Sequence, residues 1–179
     1  MTRFFRLVRF LPQICSSMLV LLIVLASCNR PKEISSVNPM HWEQRQAKIN
    51  SSDSLDYGSS YLSVYSEIYS LTEKRTYNLT ATISIRNISS EDSIYILRSD
   101  YYNTAGDLIR TYFNNPIFLK PLETIEIVVD ERDEHGGTGA NFIFDWAVNP
   151  GTQEPLFEAV MISTSGQQGI SFTTSGVKR

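Results

Sequence analysis

The amino-acid sequence predicts an all-β fold: an antiparallel, immunoglobulin-like β-sandwich of about seven to nine strands behind a signal peptide and a flexible tether. Three observations carry this expectation. Residues 77–86 alternate without a break, Tyr77, Leu79, Ala81, Ile83 and Ile85 on one side, Asn78, Thr80, Thr82, Ser84 and Arg86 on the other. That is the period of a strand with one buried and one wet face. Turn residues recur at intervals of about eight to twelve positions, and no helical pattern of about ten to fifteen residues intervenes, as a parallel sheet would require.

At the N-terminus Arg3, Arg6 and Arg9 precede a nine-residue apolar run, Met18 to Ala26. A bilayer-spanning helix needs about 20 apolar residues, whereas this length suits the apolar region of a secretory signal. The run ends in Leu25, Ala26, Ser27 and Cys28, which resembles the lipobox of bacterial lipoproteins: small residues ahead of a thiol that receives a diacylglyceryl group. The expectation is removal of residues 1–27, lipid attachment at Cys28, and a membrane-tethered place in the cell envelope. Asn29 stands where Asp would signal inner-membrane retention, which favours the outer membrane.

Cys15 would leave with the signal and Cys28 would carry lipid, so the mature chain offers no disulfide, metal thiolate or thiol nucleophile. Of 179 residues, 152 remain, with 13 bases against 19 acids. That acidic excess argues against nucleic acid as a partner. A single, monomeric domain is expected from this length.

Residues 28–56 read as the lipidated cysteine and tether, rich in Ser, Asn, Pro and charge. Within it, Asn38 and Pro39 suit the N-cap and first position of a short helix over 39–48. Such a helix persists only if Trp42 docks on something. His41 reads as a solvated tether residue.

The domain is expected over 57–179. Residues 57–69 read as the first strand, because Leu62, Val64 and Ile68 alternate against Tyr61, Tyr65 and Tyr69. Further strands follow at 77–86, 93–102 and 108–113. Pro116 and Pro121 bracket 117–119, which suits a sheet edge. Alternation or apolar runs place the last strands at 125–129, 142–146, 156–163 and 168–174.

Several stretches then look familiar: VYSEIY at 64–69, LTATISIRN at 79–87, DYY at 100–102, GGTGANF at 136–142, EAVMI at 158–162 and GISF at 169–172. They resemble a bacterial family classed as a domain of unknown function, found in short secreted or lipid-anchored envelope proteins. Where that family usually carries a proline in its first strand, this chain has Ser63. The resemblance implies a compact β domain in the envelope and supplies neither an activity nor residue roles.

One loop concentrates the chemistry-bearing residues: Asp130, Asp133, Glu134, His135, Gly136, Gly137, Gly139 and Asn141 form the candidate ligand-binding loop. It fails the calcium-loop spacing, since Arg132 and Glu134 stand where short oxygen ligands belong. It fails as a phosphate loop because a strand, not a helix N-terminus, follows it. The favoured expectation is a solvated hairpin, with no metal and no cofactor; a small-ligand or divalent-ion site of other geometry is the alternative. No catalytic residue is assigned, because His135 has no serine partner nearby in sequence and no G-x-S-x-G turn occurs. Tyr61, Tyr65 and Tyr69, with Tyr101 and Tyr102, offer an aromatic platform for glycan or protein as one reading, but packing in and around the sandwich core is the favoured expectation for most of them.

The functional expectation is a non-catalytic binding or structural module with an envelope protein or glycan as partner. An envelope hydrolase, or a glycan- or ion-binding module, is the alternative. A surface patch would favour the first, and a pocket joining His135 to a serine or carboxylate the hydrolase.

Overall fold

A computed structural model describes residues 42–50, 52–164 and 169–179. The expected signal peptide, Cys28, Asn38, Pro39 and His41 lie outside the described residues. No helix among those described is long and apolar enough to cross a membrane.

The fold is an antiparallel β-sandwich. Strands β1 (Asp56–Ser63), β5 (Ile94–Tyr102), β6 (Leu108–Phe113), β9 (Asn141–Val148) and β12 (Val177–Lys178) lie in one sheet, in the order β12-β1-β9-β5-β6. A short strand, β7 (Ile117–Leu119), pairs with the opening residues of β5. Strands β4 (Thr80–Arg86), β8 (Thr124–Val129), β10 (Leu156–Ser163) and β11 (Ile170–Ser175) form the second sheet, in the order β11-β10-β4-β8. A separate hairpin joins β2 (Glu67–Ser70) to β3 (Thr72–Asn78), turning at Leu71 with a φ of 64°.

Alternation decides which side chains enter the space between the sheets. Ala81, Ile83 and Ile85 of β4 are fully buried, as are Ile125 and Val129 of β8, while Thr80 and Thr82 remain half-exposed. From the other sheet β9 sends in Phe142, Phe144 and Trp146. Phe144 stacks on Phe157 of β10 with ring centroids 4.3 Å apart, joining the sheets through aromatic contact. Each fully buried side chain of this size stabilises the fold by roughly 1.5 to 3 kcal/mol. Trp146 Nε1 donates to the buried Ser60 Oγ at 3.0 Å, so its polar edge is satisfied inside the core.

Twelve strands are found among the described residues, more than the seven to nine expected, because two expected strands are each divided and the short β12 at Val177–Lys178 lies outside the expected strands. Residues 77–86 keep one side-chain period throughout, yet β3 pairs with β2 whereas β4 pairs with β10 and β8. The switch falls at Leu79, whose N–H donates to Ser66 O at 2.8 Å. Periodicity reports which way side chains face, not which strand they pair with. Residues 57–69 divide likewise at 64–66, where Val64 N–H donates to Ala140 O at 2.9 Å and Ser66 N–H to Gly137 O at 3.3 Å.

The end of the expected tether is part of this body. Trp42–Arg45 form a 3₁₀ turn rather than the ten-residue helix the sequence suggested, and Trp42 packs on Phe113 with centroids 4.9 Å apart. Gln46 makes a β-bridge to Ile117, Ala47 N–H donates to Pro116 O at 2.8 Å, and Arg45 pairs with Glu123 at 2.8 Å. The segment covers the edge that β7 would otherwise leave open.

Candidate functional site

The loop from 130 to 140 joins β8 to β9. Asp130 begins it by accepting from the backbone N–H of Arg132 at 2.9 Å and from its guanidinium at 2.9 and 2.8 Å. These bonds hold the Asp130 carboxyl well below the ordinary carboxylate range. Asp133 N–H then donates to Asp130 O at 2.8 Å, closing a turn that sends the Asp133 side chain inward.

The solvated-loop expectation fails at Asp133, whose side chain is only 1% exposed. Its carboxylate accepts from Arg110 Nη2 of β6 at 3.2 Å and meets His135 Nδ1 at 2.9 Å. A buried charge requires such partners, since an unpaired carboxylate inside a protein is costly. Arg110 also donates to the Tyr112 hydroxyl at 3.1 Å, and its guanidinium carbon lies 5.5 Å from the centre of that ring. Glu134 turns the other way and accepts from Asn78 Nδ2 at 2.7 Å.

The glycines serve close packing. A Cβ on Gly136 would lie 2.0 Å from the Tyr101 hydroxyl and 2.8 Å from Ser66 Oγ. Gly137 has a φ of 73°, in the left-handed region, and opens a 3₁₀ turn that ends at Gly139. Thr104 clamps that turn: its hydroxyl donates to Gly136 O at 3.0 Å and accepts from Gly139 N–H at 2.8 Å. Asn141 is already in β9, its backbone in register with Ser63 and Tyr102.

Of the eight sequence-selected residues, the structure thus brings Asp133 and His135 into contact and directs Asp130 and Glu134 elsewhere. Asp133 can hold the proton of a neutral imidazole on Nδ1, leaving Nε2 as the free acceptor. The serine and threonine hydroxyls beside this loop are committed to the backbone, however: Ser66 donates to Gly137 O at 3.2 Å, as Thr104 does to Gly136 O. Among the described residues no group of three or more His, Cys, Asp or Glu is placed to hold a metal ion.

The tyrosine platform is not assembled. Tyr101 is fully buried in the core, stacked on Phe142 at 4.7 Å, and Tyr65 meets Phe172 edge-on at 5.7 Å. Burial pushes the Tyr101 phenol far above its ordinary ionisation range.

A cleft of about 230 Å³ lies elsewhere, between the docked N-terminal segment and the turn from β6 to β7. Phe113 and Ile117, both buried, line it together with Trp42 and Tyr112, and Glu43, Gln46, Asn114 and Asn115 add polar groups. Sequence reasoning missed this site, although the need for Trp42 to dock was one legible signal.

No curated protein matches the chain. Among solved structures, the crystal structure of Thermotoga maritima 1070 shares 9% identity and a TM-score of 0.44, over 67% of this chain and 92% of that one. Residues 57–178, from the second residue of β1 to the end of β12, match the family described as "Protein of unknown function (DUF3124)", and the chain belongs to that family.

Proposed function

We propose that the protein is a lipid-anchored module of the bacterial cell envelope, held by Cys28, that binds a partner and does not catalyse. The observation that carries this reading is the cleft between Trp42 and Asn115. It combines two aromatic side chains with three amides and a carboxylate on a buried apolar floor, the composition of a recognition site. The Asp133–His135 pair, by contrast, sits beside serine and threonine hydroxyls that donate to backbone oxygens, so it serves to fasten the loop to β6 rather than to activate a nucleophile. The short signal-like run and lipobox support the anchor, and Asn29 supports the outer membrane.

Two measurements test this. Fatty-acid labelling should mark the wild type and spare Cys28→Ser, and intact mass should show residues 1–27 removed. A photo-crosslinking residue at Asn114 should yield an envelope adduct in intact cells, whereas one at Val160, on the exposed face of β10, should not. An unlabelled wild type that keeps its first 27 residues would defeat the anchor. Absence of any adduct at 114 would defeat the cleft as the binding surface.

A further inference from the structure

We propose that this cleft is a subsite for an uncharged saccharide, recognising one pyranose ring of a glycan chain. The inference rests on the reading of the cleft as the binding surface and adds the class of ligand. Size is the first argument. At about 230 Å³ the cleft lies just under the roughly 300 to 1,000 Å³ of drug-sized sites, which leaves room for a single ring and not for a folded peptide. An extended peptide is disfavoured along β7 as well. Strand addition on β7 would need an open edge there, and that edge is filled by the Gln46–Ile117 bridge and the bond from Ala47 N–H to Pro116 O, which among the described residues leaves only β6 as a strand edge beside the cleft.

The lining chemistry is the second argument. Gln46, Asn114 and Asn115 are exposed amides, and each presents an acceptor oxygen beside a donor NH₂. Vicinal hydroxyls of a sugar also donate and accept side by side, so a planar amide can satisfy two of them at once. Trp42 and Tyr112 supply flat apolar surface for the C–H face of the ring. Glu43 adds an acceptor.

Charge narrows the class further. No Lys or Arg lines the cleft. The two arginines nearest in sequence are engaged, Arg45 with Glu123 and Arg110 with Asp133 and Tyr112. A phosphate or carboxylate on the ligand would therefore find no cation among the lining residues and would face Glu43. The site is also pre-shaped: Phe113 and Ile117 are buried beneath it, and Asn115 precedes Pro116, which restricts its backbone to extended conformations.

Two sources carry this chemistry, an amino-sugar backbone and a hexose polysaccharide, and the test separates them. The full lipidated protein is held in a polyoxyethylene detergent, free of sugar. It is titrated with chitotriose, with maltotriose and with an end-blocked alanine tripeptide, using saturation-transfer NMR and calorimetry. One trisaccharide should bind saturably with ring protons receiving the transfer, and its identity names the source. The double substitution Asn114→Ala and Asn115→Ala, at two exposed positions, should weaken it at least about tenfold with an unchanged melting curve. Gln46→Ala should weaken it in the same direction. Lack of binding by both trisaccharides overturns the inference, as does equal affinity in all variants. Binding of the tripeptide alone also overturns it, while leaving the cleft as a binding surface; the crosslinking at Asn114 tests that reading separately.

Discussion

Asp133→Ala removes a carboxylate that is 1% exposed and holds Arg110 at 3.2 Å and His135 at 2.9 Å. Hydrogen bonds to charged groups contribute roughly 1.5 to 3 kcal/mol each, and breaking a fully buried ion pair costs about 3 to 5 kcal/mol. Here the released partners can reach water, since the Arg110 and His135 side chains are 31% and 66% exposed. The cost is therefore set by the lost bonds and the space left behind, about 2 to 3 kcal/mol. For a domain of this length that corresponds to a fall in Tm of roughly 5 to 10 °C. The assay is urea denaturation followed by far-ultraviolet circular dichroism, with thermal melts alongside. Glu134→Ala, whose partner Asn78 lies in an exposed pair, should stay within about 0.5 kcal/mol of wild type. Equal and small effects at the two positions would refute the argument and return the whole loop to solvent.

Gly136→Ala drives a methyl into the Tyr101 hydroxyl and should cost roughly 2 to 4 kcal/mol. Adding Tyr101→Phe should recover part of that loss, and a strictly additive double mutant in the same denaturation assay would contradict the contact. Tyr101 also sets an alkaline limit. Its phenol is raised above the ordinary value of 10.0 by burial, so its contribution is whole below that pH and is lost as pH rises toward the folded value. The expected slope is about 1.4 kcal/mol per pH unit above pH 10, and Tyr101→Phe should reduce it to the smaller part left by Tyr102, whose phenol is also raised by burial. Glu123 works in the opposite direction: the bond from Arg45 holds it below 4.5, so its contribution is whole above that pH and is lost on acidification through the lower folded value. Trp42 fluorescence should report the segment loosening there, by no more than about 1 kcal/mol, and a Glu123→Gln variant that keeps the same acid transition would refute the assignment.

The sandwich was legible because its strands carry their own signals. Residues 108–113, 117–119 and 156–163 have the same bounds in sequence and structure. In each case the apolar pattern and the flanking turn residues act locally. The turn at 87–92 is local only in part: Asn87 accepts from Ser89 N–H and donates to Asp92 O, but its amide also donates to Leu119 O and Lys120 O across the fold. What local pattern does not contain is the choice of partner strand, and this is why the unbroken alternation of 77–86 hides a change of sheet at Leu79. The same limit applies to the loop. Asp133 and Glu134 are adjacent carboxylates with equivalent neighbours in the sequence, and they part only because Arg110, 23 residues earlier, stands behind one of them.

The cleft escaped for a different reason. Composition measures whether a segment can bury a core of its own, and residues 28–56 cannot. It does not measure whether such a segment can complete someone else's edge. Trp42 brings an aromatic side chain to Phe113, and Gln46 and Ala47 bring backbone groups to a strand flanked by two prolines. Neither half has meaning without the other. One wall of the cleft is therefore made by the chain that leads back toward Cys28, and the cleft exists only while that chain is docked. Any ligand that binds there must stabilise the docked state by RT ln(1 + [L]/Kd), about 2.7 kcal/mol at a hundredfold excess over Kd. That exceeds the contribution of the Arg45–Glu123 pair, so an occupied cleft should keep Trp42 in place at a pH where the empty one has released it.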